Sequence, residues 1–434
     1  MAARHRSITS LISGEWKSLA QNAIALYAVL ITTYLLPLIT IPYLARVLGP
    51  APWGLVAMAQ ALSAYLMIVV EYGFHLSATR AVARERENRD RLADLFANVL
   101  SAKGVLALVL LPVPLLVRGL VPALGGEPQL LWAAYVAAVA LALTPSWFFQ
   151  GLELMRLVGV LDIVARAIAT FGIFAFVRGP GDAALVLWLQ AIGGLVAGAI
   201  GFGLAARVVR LRRPRWTDAV HGFRLGRSLF VFRLAVSMYT AGNALILGMF
   251  VPARLVGYYA GAERVTRAFQ GVLGPISQVL YPRMSYLVKE SPEGAARLLR
   301  SSQRMTGTVG FLLYLLAAIG APMWVGVLLG DQYGPSIPVL RILALVIPLI
   351  ALSNALGIQW MLPLGLDRGF NWIIAVAGIL NVGLAIVLAP GLGPVGMATA
   401  VVVSEMFVTV GMCSYLRIRR QNPGVVVAET TPGI

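Results

Sequence analysis

Eleven ionisable side chains of this 434-residue chain stand within long apolar runs or at their ends. Seven are cations (Arg46, Lys103, Arg166, Arg233, Arg264, Arg267 and Arg341) and four are acids (Glu71, Asp162, Glu263 and Glu405). A charge in membrane hydrocarbon costs about 2.5–3.5 kcal/mol, so such groups face protein or water and are the first place to look for function. Guanidinium groups there can grip an anion through paired N–H donors. A lone carboxylate either balances a cation or takes up and releases a proton. Spacing thins the set. Asp162 and Arg166 stand four apart on one helix, as do Glu263 and Arg267, so each pair can neutralise itself. Lys103, Arg233 and Arg341 lie within about two turns of a run's end, from where a long side chain snorkels to the interface. Arg264 lies roughly 12 Å into its run, with no acid three or four positions away. Glu405 is alone near the middle of the last run. Cations outnumber acids, which suits passage of an anionic substrate. Glu405, with Asp162 and Glu71, is then read as a counter-charge, the alternative being a site that couples transport to protons or sodium.

Other chemistries lack material. The one cysteine, Cys413, cannot form an internal disulfide, and the three histidines, His5, His75 and His221, all fall outside the apolar runs. No metal centre and no cofactor site is expected. No nucleophile–base arrangement is visible, and the longest loop on the outer side, about 324–335, offers one acid and no histidine, so the chain does not read as an enzyme. The net charge of +17 is spread over many loops, unlike the footprint of a nucleic-acid binder.

The elements that must hold these residues are membrane helices. Of the residues, 59% are hydrophobic and 12% charged, with mean hydropathy +0.82, whereas soluble domains carry about 25% charged residues. The apolar runs are continuous and helix-length, which excludes a β-barrel. The expected fold is all-α and polytopic, with about twelve spans near 21–45, 53–74, 96–117, 129–149, 157–177, 183–206, 228–250, 256–281, 305–323, 336–360, 369–389 and 394–416. With the N-terminus in the cytoplasm, 25 of the 35 Lys and Arg residues fall in cytoplasmic segments and 4 in external ones. That bias puts both termini in the cytoplasm. The expected division is a six-helix bundle over 1–206, a basic cytoplasmic linker over 207–227, a second bundle over 228–416 and a tail over 417–434. The linker's arginines are read as topology determinants that touch anionic lipid. Pro37, Pro42, Pro275 and Pro348 are read as tolerated kinks, bend points for the transport cycle being the alternative. Asn243, Gln270, Asn354 and Asn381 are read as helix–helix hydrogen bonds, sugar contact being the alternative.

The two halves echo each other. Gly54, Ala57, Ala59 and Gln60 fall in register with Gly257, Ala260, Ala262 and Glu263, and the same register pairs Arg80 with Arg283. WFFQGLE at 147–153 weakly echoes WMLPLGLD at 360–367. Six spans per half make the repeat parallel, the halves related by a pseudo-twofold axis along the membrane normal around a central cavity, as in transporters.

LPLITIPYLARVLGP (36–50) followed by WGLVAMAQA, then EYGFHLSATRAVA (71–83), WFFQGLE (147–153) and VGYYAGAERVTRAFQGVLGPISQVLYPRMS (256–285) resemble the Wzx-type lipid-linked oligosaccharide flippases. These belong to the multidrug/oligosaccharidyl-lipid/polysaccharide exporter superfamily, and the resemblance spans all twelve runs. It implies two six-helix bundles around a cationic cavity in a bacterial inner membrane protein. Its implied substrate is an undecaprenyl-diphosphate-linked sugar repeat unit, moved to the periplasmic leaflet for O-antigen, capsule or exopolysaccharide synthesis. Polysaccharide polymerase and chain-length machinery are the implied partners. The family's diphosphate-binding role falls on Arg46, Arg80, Arg264 and Arg267, which stand in its motifs. Lys103, Arg166, Arg233 and Arg341 join them on intramembrane position alone. AERV carries Arg264 where many relatives have Lys, which preserves the charge. A small-molecule or multidrug exporter of the same superfamily is the alternative, disfavoured by the net cationic interior.

Overall fold

Prolines, glycines and a few polar caps divide the apolar chain into helices. The computed structural model describes residues 39–210, 212, 217–227, 230 and 242–419. Its helices are α1 (Ile39–Leu48), α2 (Pro50–Glu71), α3 (Phe74–Arg84), α4 (Arg89–Val109), α5 (Val113–Leu120), α6 (Pro128–Leu143), α7 (Ser146–Gly151), α8 (Met155–Phe176) and α9 (Ala183–Val208). There follow α10 (217–227), α11 (Asn243–Gly248), α12 (Ala253–Gly271), α13 (Gly274–Glu290), α14 (Pro292–Ile319), α15 (Ala321–Leu328), α16 (Ser336–Ala344), α17 (Val346–Leu356) and α18 (Asp367–Ile418). No strand occurs among the described residues. Proline opens α2, α6 and α14, where its missing N–H costs nothing. Asn88 caps α4 by accepting from the Asp90 and Arg91 amides.

Seven stretches of the described residues, several of them joining two of these helices, are long and apolar enough to cross a membrane, or eight if the pair α14–α15, bent by 70°, is one span. The longest, α18, has 52 residues. At 1.5 Å per residue that is about 78 Å, more than twice a bilayer core. The chain folds back at Gly393, where φ is 54° and ψ −129°. An added Cβ on Gly396 would meet Leu388, one on Gly411 would meet Ile373, and one on Gly369 would meet Tyr415. These three pairs share a single midpoint, residue 392, so α18 is an antiparallel hairpin, long enough for each arm to span a bilayer core. Proline also coincides with breaks rather than simple kinks, Pro275 at the start of α13 and Pro348 in the first turn of α17. Pro37 lies outside the described residues.

Two of the motifs serve the packing of one end. Trp147, Phe148 and Phe149 of WFFQGLE are buried. The Thr79 hydroxyl, from the segment HLSATRAVA, donates to the Trp147 carbonyl at 3.1 Å. Of the basic connection 207–227, the described part includes α10, whose Gly222 abuts the Asn98 backbone and whose Gly226 abuts Tyr72. Arg212 pairs with Asp94 at 2.5 Å and Asp90 at 3.7 Å. Part of that charge is therefore spent on α4 rather than on lipid, because the Asn88-capped start of α4 brings two acids within its reach.

Candidate functional site

The site is built around α12. This helix is long enough to cross a bilayer, but Glu263, Arg264 and Arg267 keep it out of the apolar class. It is shielded instead by α2, α11, α16 and α18, which pack round it. Its start crosses the start of α2 at backbone contact. A Cβ on Gly54 would lie 1.9 Å from the Ala253 carbonyl oxygen, and one on Gly257 would lie 1.8 Å from that of Pro50. Only glycine fits at either place. The contacts are reciprocal: in the register that matches Gly54 to Gly257, Pro50 matches Ala253. Each residue thus meets the counterpart of the residue that its own counterpart meets, as at an interface with twofold symmetry.

Other contacts between the parts of the chain before and after residue 230 gather at the same end. Arg46 of α1 donates to the Val327 carbonyl at 2.5 Å, and the Tyr333 hydroxyl donates to the Ala45 carbonyl at 3.2 Å. Gly49 (φ 75°) sits beside Gln332. Six residues further along α2, roughly 9 Å deeper, the backbones have separated enough for a long side chain to span the gap. Arg264 there donates to the Gln60 side-chain oxygen, and its guanidinium lies 4.7 Å from the Trp53 ring. Both partners are neutral. A cation over an indole gains about 0.5–2 kcal/mol, and neither of these contacts is an ion pair.

The adjoining face of α12 lines a cavity of about 270 Å³. Asn243 of α11, Tyr259, Glu263, Thr266, Arg267 and Gln270 of α12 and Glu405 of α18 supply its polar groups, and aliphatic side chains of α16, α17 and α18 the rest. Glu263 accepts from Arg267 at 3.1 Å and from the Tyr259 hydroxyl at 3.4 Å. Glu405, 6% exposed, accepts from the Ser353 hydroxyl at 2.7 Å. The Asn381 amide donates to Asn243 at 2.9 Å, the expected helix–helix bond. A side chain as open as Arg267, 54% exposed about one turn before α12 ends, needs water rather than hydrocarbon around it.

The remaining predicted residues are scattered. Arg80 is exposed on α3, and Glu71, half-buried, ends α2. Asp162 and Arg166 form the expected i,i+4 ion pair at 3.0 Å. Arg341 is exposed and donates to the Ala318 carbonyl at 3.3 Å. Lys103 corrects the snorkelling expectation. It is 2% exposed and donates to the Ala142 carbonyl at 2.5 Å. That carbonyl lies in the last turn of α6, where helix geometry leaves acceptors unpaired and attracts a cation. Arg233 lies outside the described residues. Sequence reasoning missed Trp53 and Ser353. It saw Gln60 only as a repeat position, although its match to Glu263 marked it as facing something polar.

Comparison with known proteins agrees with this architecture. Residues 19–288 match the family model described as Polysaccharide biosynthesis protein. The chain is 31% identical over 404 residues to a putative O-antigen transporter of Escherichia coli (strain K12), covering 92% of this chain and 97% of that one. Its fold is similar to that of an inward-facing multidrug resistance MATE family transporter of the MOP superfamily (TM-score 0.67, 15% identical, 91% of this chain and 96% of that one). It is also similar to the lipid II flippase MurJ in an inward closed conformation (TM-score 0.66, 11% identical, 95% and 93%). All-helical, multi-pass and similar over nearly its whole length to such a transporter, the chain belongs to the polysaccharide biosynthesis protein family, as a membrane-spanning transporter.

Proposed function

We propose that this protein moves an undecaprenyl-diphosphate-linked oligosaccharide from the cytoplasmic to the periplasmic leaflet of a bacterial inner membrane, holding the diphosphate at Arg264. The observation that carries this reading is the setting of Arg264, a cation between α2 and α12 whose two contacting partners, Gln60 and Trp53, are both uncharged. A diphosphate diester carries about two negative charges that hydrocarbon does not accept. A guanidinium in a watery cleft replaces part of its hydration and grips two oxygens at once. The relative in Escherichia coli is named for O-antigen transport, and the lipid II flippase shares the fold.

The mechanism is alternating access between two six-helix bundles. The reciprocal contacts of Gly54 and Gly257 support a pseudo-twofold axis between the halves. The loop charges support an orientation in which this closed end faces the periplasm and both termini the cytoplasm. The cleft then takes substrate from the cytoplasmic side. Diphosphate and sugars enter beside α12 while the polyprenyl tail stays in lipid between the bundles. Parting of the glycine contact opens the periplasmic end. The membrane potential favours outward passage of an anion by about 2.3 kcal/mol per charge per 100 mV. No bond is made or broken, so the protein acts as a carrier and not as an enzyme, and it hands its cargo to polymerase and chain-length machinery. Of the other cations, Arg267 sits beside the cleft. Arg46, Arg80, Lys103, Arg166 and Arg341 act in packing, orientation or approach.

The test is a cell deleted for this gene, complemented with wild type or Arg264→Ala, in which the leaflet holding the lipid-linked repeat unit is measured. The proposal expects build-up in the cytoplasmic leaflet, cleared by wild type alone. Clearance by Arg264→Ala overturns the site, and absence of any lipid-linked build-up overturns the substrate class. One observation favours a second reading, an exporter of small organic cations: Glu263 and Glu405 line a single cavity. Resistance to such cations that tracks expression would support it.

A further inference from the structure

The register that matches Gly54 to Gly257 also matches Val56 to Tyr259, Ala64 to Arg267 and Met67 to Gln270. Three apolar positions of α2 have thus become polar in α12, and all three open on the 270 Å³ cavity. Packing alone does not call for this, since the same helix positions in the other half are filled by aliphatic side chains. The change is directed at a ligand.

The lining says which kind. Two carboxylates, Glu263 and Glu405, face one guanidinium, Arg267, and this guanidinium is already bonded to Glu263. Such a cavity repels a diphosphate. It is also far larger than a bare monovalent ion, and its walls are largely aliphatic. What it matches is a pyranose ring: hydroxyls around the rim, each both donor and acceptor, and a C–H face. The carboxylates accept, Arg267 and the Gln270 amide donate, the Tyr259 ring and the aliphatic wall take the apolar face. Behind Asn243 stands a further acceptor, the buried Asn381 side-chain oxygen, which has no hydrogen-bond partner among the described residues.

Helix geometry ties this cavity to Arg264. Neighbouring residues on a helix are turned about 100° apart with a rise of 1.5 Å, and residues four apart share a face. Arg264 points towards α2, while Glu263 and Arg267, about 100° and 60° round the helix from it, line the cavity on the adjoining face within about 5 Å of its depth. A sugar joined directly to a diphosphate therefore reaches one face while its phosphates stay at the other. We propose that the cavity formed by Asn243, Tyr259, Glu263, Arg267, Gln270 and Glu405 binds the sugar adjoining the diphosphate and selects the repeat unit by that residue. The proposal rests on the flippase reading above.

The test measures binding of two probes to the purified full-length protein in lipid nanodiscs. One probe is the lipid-linked repeat unit extracted from the strain deleted for this gene, and the other is sugar-free undecaprenyl diphosphate. Gln270→Ala and Glu405→Gln should each weaken the first by roughly tenfold or more, the loss expected when a site built for hydroxyls is left incomplete, and leave the second within about twofold. Agreement between the two variants separates a lost contact from misfolding, as does the unchanged sugar-free probe. Equal losses for both probes make the cavity part of the diphosphate site and overturn the proposal. No loss for either, with an altered sodium or proton dependence of transport, makes it a coupling-ion site and likewise overturns it. Failure of the wild type to bind either probe instead removes the flippase reading itself.

Discussion

Helices α2 and α12 hold matching places in the internal repeat, and they differ in one respect. Both begin with a proline nearby, present a small-residue face and meet the other at a glycine that admits no side chain. Beyond the crossing, α2 carries no charge before its last residue, Glu71, and meets Arg264 through the neutral Gln60, whereas α12 carries charges on two adjoining faces. One face holds Arg264 towards α2, and the other holds Glu263 and Arg267 towards a cavity. The shared features are those that let two helices cross. The unshared ones bear the ligand chemistry, so the second half carries recognition on a scaffold common to both.

The strongest way to break this comparison is at Arg264. Losing a hydrogen-bonded charge pair with substrate costs about 2–5 kcal/mol, so Arg264→Ala should lower transport of the lipid-linked repeat unit by roughly 30-fold or more. Arg264→Lys should keep much of it, since it retains the charge and loses only the fork. Flipping in proteoliposomes checks both. Next comes the crossing. Gly257→Val forces the backbones apart, because even a Cβ would sit 1.8 Å from the Pro50 carbonyl oxygen. It should populate the state open at this end. A cysteine placed at Ala64 in a Cys413→Ser background should then label faster with an impermeant maleimide added from outside.

A smaller effect separates structural cations from functional ones. Lys103→Met leaves the Ala142 carbonyl unsatisfied and should cost about 1–3 kcal/mol of stability, read as a lower unfolding temperature, with substrate affinity unchanged. Smallest is Arg166→Gln. Its partner Asp162 lies on the same helix with both side chains about 40% exposed, a setting worth about 0.5 kcal/mol. Transport and unfolding temperature should both stay near wild type.

Much of the architecture was legible in the sequence because membrane helices need long apolar runs, and runs are local. Ten of the twelve expected intervals lie wholly within the described residues and are mostly helical; of those at 21–45 and 228–250 only parts, in α1 and α11, are described. The hairpin in α18 was legible from GLGPVG, since proline and glycine together cannot continue a helix. Arg264 was legible as a cation with no acid in reach along its helix. Its actual partners were not, because Gln60 and Trp53 come from a helix some two hundred residues earlier and only the crossing at Gly54 brings them near. Lys103 misled for the same reason: depth along one helix says nothing of a neighbouring helix that ends beside it with free carbonyls. Glu405 read as solitary for want of knowing that Ser353 and the polar face of α12 stand around it.

The most direct test of the division of labour between the two helices is site-specific photo-crosslinking to radiolabelled lipid-linked repeat unit. A benzophenone side chain is placed at Gln270 in one protein and at its counterpart Met67 in another. The account predicts a strong adduct at position 270, competed by unlabelled repeat unit, and little at position 67. Equal adducts, or a stronger one at position 67, would contradict it, because recognition would then be shared by the halves or belong to α2.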